Sequence, residues 1–112
     1  MVEVRSYNLK PGTGSDFDHL FVEEASPLLW QWNVDVVAFR LSLQDENIYY
    51  LMRRFDSLSQ REASEDSFYG SDAWRKGPRE RILALIENYT EVVLALDEVT
   101  VAGLRQDNPG DT

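Results

Sequence analysis

The chain has no cysteine among its 112 residues and a single histidine, His19. The first absence excludes disulfides, thiolate metal sites and a cysteine nucleophile, and it fits a reducing compartment such as the cytoplasm. The second leaves no histidine-based metal centre and no Ser-His-Asp triad. His19 itself falls roughly 200° around a helix from the apolar stripe that begins at Phe17, on the solvent side. Basic side chains are scarce as well, 11 against 20 acidic ones, for a formal charge of −9. That balance repels phosphate backbones and anionic lipid, so neither nucleic acid nor a membrane surface is an expected partner. No apolar run is long enough to span a bilayer, and the opening MVEVRSYNLK lacks the basic start and apolar stretch of a secretory signal. A cytoplasmic protein is expected. Dinucleotide fingerprints and metal-spaced clusters are missing too, and KPGTGS, without the Lys-Ser/Thr ending of a P-loop, reads as a turn.

What is present is an alternation of strand-like and helix-like segments over a length suited to one core. VEVRSYNL reads as a strand ended by Lys10-Pro11-Gly12. Ser15 or Asp16 then caps a helix whose Phe17, Leu20, Phe21, Leu28 and Trp32 share one face, with Pro27 expected to kink it or to end its first part. VDVVAFRLSL and IYYLMRRF, separated by the polar QDEN, form an antiparallel pair. A capping box of Ser59 and Glu62 predicts a second helix running to Tyr69, with Gly70 as a left-handed stop. Ser71 or Asp72 restarts a turn carrying Trp74, and Gly77 closes it. Pro78 opens a last helix striped by Ile82, Leu85 and Ile86. YTEVVLAL is a fourth strand, DEVTVAGL a short fifth, and RQDNPGDT a frayed tail. One domain over residues 1–96 is expected, with 97–112 as the extra strand and flexible acidic tail.

This order predicts an α+β, ferredoxin-like βαββαβ fold: an antiparallel four-stranded sheet with helices on one face. The other sheet face should then be polar. Yet Val34, Val36 and Ala38 alternate with Asp35, Val37 and Phe39, apolar on both sides, so a homodimer joined sheet to sheet is expected.

VEVRSYNLKPG at the start, LMRRFDSLSQRE in the middle and FYGSDAWRKGPRERILALIENYTEVVL at the end, taken in order, resemble the NIPSNAP family of the dimeric α/β-barrel superfamily across residues 2–94. Ser6, where threonine is more usual, and the acidic tail depart from the pattern. The resemblance implies a ferredoxin-like protomer, two of which pack into a barrel, each with a cavity between sheet and helices. It does not choose an activity, because superfamily members include cofactor-independent monooxygenases acting on aromatic polyketides, lactone isomerases and haem-binding enzymes.

Glu3, Arg5 and Tyr7 share one face of the first strand, which the ferredoxin-like order sets between the third and fourth. Their neighbours there would include Arg53 or Arg54 and Glu91 or Tyr89. A guanidinium and a phenol converging on a cavity can orient an anionic or enolic molecule; the same residues also suit a cross-strand charge ladder at a dimer interface. The second helix has few apolar residues between Leu58 and Phe68, which makes Arg61 a candidate pocket residue or an ion-pair partner of Glu65. Trp74 fits a packing plug or, with Tyr69 and Arg75, a rim over the cavity, with Trp30 as an opposite rim or a dimer contact. The ligand-binding candidates are therefore Arg5, Tyr7, Arg54, Arg61, Tyr69 and Trp74; no catalytic residue is assigned. The expected role is to bind or transform a small aromatic or hydrophobic, polyketide-like molecule without metal or nucleotide cofactor, in the manner of a cofactor-free monooxygenase or isomerase if it turns over. Haem is not expected, since His19 is a poor ligand. The alternative is a non-catalytic homodimeric structural protein.

Overall fold

The computed structural model describes residues 1–105; most of the tail read as frayed, from residue 106 on, lies outside the described residues. Strand β1 (Val2–Leu9) is central, paired antiparallel with β3 (Ile48–Arg54) on one side and β4 (Ile86–Leu94) on the other, and β2 (Asp35–Leu41) completes the order β2-β3-β1-β4. This is the ferredoxin-like arrangement. Gly12, at φ 80°, turns the chain out of β1.

The first helical segment does not break at Pro27. Helix α1 (Gly14–Leu20) passes through a π-helical turn, Phe21–Ala25, into α2 (Ser26–Gln31). The Ser26 N–H reaches back to the Phe21 carbonyl, widening the helix just before the proline, which then occupies the first turn of α2 where a missing N–H is tolerated. Asn33, at φ 58°, ends it, with the Val34 N–H on the Leu29 carbonyl at 3.0 Å.

Helix α3 (Leu58–Tyr69) starts before the predicted cap. Its N-cap is Ser57, whose hydroxyl accepts the Gln60 N–H at 3.0 Å, rather than Ser59. Gly70 follows at φ −85°, so the helix stops without a left-handed residue. Ser71 instead caps α4 (Asp72–Arg75), accepting the Trp74 N–H at 3.2 Å, and Pro78 leads into α5 (Arg79–Leu83). β4 takes Ile86 from the helical stripe expected for it.

The largest departure lies after β4. The segment expected as a fifth strand is a helix, α6 (Glu98–Leu104), because the Asp97 carboxylate accepts the Thr100 N–H at 2.7 Å and caps it. A local cap outweighs the β-branched residues here. Val101 of α6 packs with Val2 and Val37 on the sheet face away from the other helices. Helices are therefore not confined to one face, and the chain itself covers part of the apolar surface; Val92 and Leu94 stay exposed. The main core lies on the opposite face, where Phe17, Phe21 and Leu29 meet Phe39, Tyr49, Leu51 and Phe68. Among the described residues no helix is long and apolar enough to cross a membrane.

Candidate functional site

Strand register decides which charges meet. Glu3 lies opposite Arg53, and Arg5 opposite Glu91, with Tyr7 between Tyr49 and Tyr89 in the same rows. The tyrosines Tyr7 and Tyr49 pack toward α1, whereas Glu3, Arg5, Arg53 and Glu91 project toward α3. They meet Arg61, Glu65 and Tyr69, which recur one turn apart on α3.

The result is an interlocked network. Arg53 grips the fully buried Glu3 carboxylate through Nη2 and, at 3.1 Å, through Nε. Arg61 Nε donates to the other Glu3 oxygen at 2.7 Å, and its guanidinium also reaches Glu65 at 3.2 Å and Glu91 at 3.1 Å. Arg5 Nη2 donates to Glu91 at 2.8 Å and to Glu65 Oε1 at 3.2 Å. The Tyr69 hydroxyl oxygen accepts from both Arg5 Nη1, at 3.0 Å, and Arg53 Nη1, at 2.9 Å. Such pairs hold position more than they add stability, because each buried charge is desolvated at a cost close to its Coulombic gain.

The two acids in the middle behave differently. Burial alone would push Glu3 up, but a hydrogen bond from the Glu65 carboxyl and the Arg53 charge outweigh it and hold Glu3 down at about 2. Burial and the hydrogen bond to Glu3 push Glu65 up to about 7. Glu65 Oε2 is buried and accepts no hydrogen bond. When Glu65 is protonated, the Glu3 carboxylate is the acceptor beside it, and the pair can then share one proton. Arg5 and Arg53 are held firmly charged by neighbouring tyrosines and glutamates despite burial, and burial raises the Tyr7 phenol. Carboxylate oxygens of Glu3, Glu65 and Glu91 approach within 4.8 Å of one another, a spacing that can hold a cation. Arg5, Arg53 and Arg61 already neutralise them, so this donor set does not suit one.

Beside the network lies a cavity of about 460 Å³ between sheet and helices. Arg5, Glu65, Tyr69 and Glu91 form its polar wall, and Phe21, Leu29, Phe68, Trp74 and Ile82 much of the apolar remainder. Trp74 is buried, its ring 5.3 Å from Phe68 and 5.4 Å from Tyr69, so it is both plug and cavity wall rather than a rim. Arg75 instead lines a shallow outer hollow that shares Tyr69 and Arg79 with the cavity.

Of the six residues selected from sequence, Arg5, Tyr7, Tyr69 and Trp74 line the cavity. Arg61 belongs to the network behind it and keeps its intrahelical pair with Glu65 as well. Arg54 is a correction. Register turns it to the α6 side, where it bonds Glu98 at 2.6 Å and Asp56 at 2.9 Å, and Arg53 takes the inward place. The charge ladder exists, but it faces the helices, not the exposed sheet face. Trp30 is exposed, beside a separate hollow with Asp35 and Arg105, and His19 is exposed. Sequence reading missed the Glu3–Glu65 pair; the signal was a glutamate one turn before Tyr69 on the apolar-poor helix and another in the row of Arg5.

No family model matches the chain, and no curated protein matches it in sequence. Solved structures do. An uncharacterised NIPSNAP domain protein from Burkholderia xenovorans aligns with a TM-score of 0.78 at 19% identity, over 87% of this chain and 94% of its own. A NIPSNAP family protein from Agrobacterium tumefaciens gives 0.79 at 18% identity, over 87% and 92%. The fold is the NIPSNAP fold. A putative antibiotic biosynthesis monooxygenase from Nitrosomonas europaea lies further off, with a TM-score of 0.62 at 12% identity over 85% of this chain and 96% of its own. The network joins β1, β3, β4 and α3 of this fold.

Proposed function

We propose that this chain is a NIPSNAP-type protein that binds, and transforms, a small aromatic or hydrophobic molecule carrying a carbonyl or anionic oxygen, without metal or nucleotide cofactor. The observation that carries this reading is the cavity: aromatic and aliphatic walls against one polar wall of Arg5, Glu65 and Tyr69. Apolar surface supplies affinity, and a few convergent polar groups fix orientation. The Tyr69 oxygen already accepts two guanidinium N–H bonds, so its own O–H is left to donate to a ligand oxygen. The likeness to a putative antibiotic biosynthesis monooxygenase supports a cavity used for organic molecules.

The working unit is a cytoplasmic homodimer. Val92 and Leu94, on the edge strand β4, leave apolar surface that α6 does not cover, and a second copy would bury it. The same surface favours the alternative, a structural homodimer whose cavity stays empty. Native mass spectrometry of the freshly expressed protein, followed by melting in the presence of aromatic ketones and carboxylates, separates the two. A dimer with added mass, or a melting temperature raised by these compounds, supports the binding reading. A clean dimer whose melting no compound moves refutes it, and a monomer at micromolar concentration refutes the dimer.

A further inference from the structure

The Glu3–Glu65 pair has no role in simply filling or closing the cavity. Two carboxyl groups, brought into contact in a protein interior, form an arrangement that apolar residues of the same volume would replace without loss of stability. Here Glu65 stands in the polar wall of a cavity, with Glu3 fully buried behind it and a phenol that two guanidinium groups polarise beside it. Glu65 and Tyr69 stand one turn apart on α3 and are tied to the same Arg5 guanidinium, Tyr69 through Nη1 and Glu65 through Nη2. A base and a hydroxyl donor are thereby fixed side by side, facing one space.

We propose that Glu65 is the general base of a proton-abstraction site for enolisable ketones or related carbonyl compounds, with Tyr69 as the oxyanion donor and Glu3 as a positioning residue. The inference rests on the binding reading above. In the forward step the Glu65 carboxylate takes a proton from the carbon next to the carbonyl. The C–H electron pair becomes the C=C bond of an enolate, and the carbonyl π pair moves to oxygen, where the Tyr69 O–H receives it. Protonated Glu65 then returns the proton to the same carbon or to another carbon of a conjugated system. The net result is exchange or isomerisation, and no oxidant or reductant is consumed.

The electrostatics follow the chemistry. With Glu65 ionised, the charges of Glu3, Glu65 and Glu91 balance those of Arg5, Arg53 and Arg61. Once Glu65 accepts the proton, the cluster carries one net positive charge opposite the new enolate. Glu3 stays ionised under its three arginine partners and sets the basicity of its neighbour. The groups that face Glu65 are Glu3 and Arg5 from β1, Arg53 from β3, Glu91 from β4 by way of Arg5 and Arg61, and Arg61 and Tyr69 from α3 itself. An acid near 7 is also suited to both taking and returning a proton at neutral pH.

The test uses the full chain and β-tetralone, a bicyclic ketone whose C1 protons are both benzylic and beside the carbonyl. Calorimetry first measures its binding, and proton NMR in D2O then follows exchange at the activated carbon. The expected result is acceleration of about 10²-fold or more over buffer, with a rate that rises through a pH near 7. Glu65→Gln should abolish the acceleration measured with the protein saturated by ketone, and Glu3→Gln should move the pH midpoint downward. Binding without accelerated exchange, or exchange undiminished in Glu65→Gln, overturns the proposal and leaves the binding reading intact. Failure of β-tetralone to bind at millimolar concentration counts against both the cavity reading and the site built on it.

Discussion

Replacing Glu65 by glutamine should make the protein less sensitive to pH between 5 and 8.5, and the size of the effect follows from the pair. A carboxyl whose native value is raised from 4.5 to about 7 binds its proton more tightly folded than unfolded. Its contribution is therefore complete below about pH 4.5 and is lost as the pH climbs through 7. The interval is about 2.5 decades at about 1.36 kcal/mol each, an upper figure of about 3 kcal/mol; relaxation of the arginines around an ionised Glu65 reduces it to about 1–2 kcal/mol. Glu3 does not blur the measurement, since its value of about 2 leaves it ionised across the whole window. Glutamine is neutral at every pH and can donate to Glu3 as the acid proton does. Urea unfolding followed by circular dichroism, at half-unit pH steps, reads the difference between the two proteins while every other titrating group cancels. The gap should be near zero at pH 5 and favour Glu65→Gln by about 1–2 kcal/mol at pH 8.5. Parallel curves would show that Glu65 ionises normally, and the shared proton would be refuted.

The same register argument predicts unequal costs for two adjacent arginines. Arg53→Ala removes the two-bond partner of the buried Glu3, leaving it Arg61 and the more distant Arg5, and should lose about 3 kcal/mol in urea unfolding, whereas Arg54→Ala breaks only partly exposed pairs with Glu98 and Asp56 and should lose less than about 1 kcal/mol. Trp74→Ala removes the wall shared with Phe68 and Tyr69 and should cost about 3–5 kcal/mol by the same assay. Gly14→Ala would drive a methyl group into the Glu46 carbonyl and should lower the melting temperature measurably, with a penalty of about 1–3 kcal/mol. Tyr69→Phe should weaken binding of aryl ketones but not of the matching hydrocarbons in calorimetry, because only the former use the hydroxyl.

Most of the fold was legible because its signals are local and redundant. Alternation in VEVRSYNL and IYYLMRRF, the three- and four-residue steps from Phe17 to Trp32, and the polar turn between two strands each point to the same order of elements. The misreadings came where two local signals compete within a few residues. DEVTVAGL carries β-branched residues and an aspartate in capping position, and the aspartate prevails once Val101 finds Val2 and Val37 to pack against. Pro27 is a breaker that the π turn ahead of it absorbs, an adjustment that no periodicity announces.

The site was half legible for a different reason. Alternation assigns Glu3, Arg5 and Tyr7 to one face with no further knowledge, but choosing between Arg53 and Arg54 requires the register of β3 against β1, and a slip of one residue exchanges them. Polarity cannot settle that choice, since both are arginines. What settles it is the set of buried partners on each side: inward lie Glu3, Glu65 and the Tyr69 oxygen, and outward, among the described residues, Glu98 and Asp56 near solvent. The inward arginine is required because Glu3 is fully buried, and Glu3 in turn raises Glu65 at the cavity wall. A single register thus links strand pairing to acid–base chemistry. Removing the inward arginine, by Arg53→Leu with Arg54 retained, should leave Arg54 on Glu98 and, because the Arg53 charge holds Glu65 down, widen the pH-dependent gap of Glu65 rather than close it, which pH-resolved unfolding of the variant with and without Glu65→Gln would reveal.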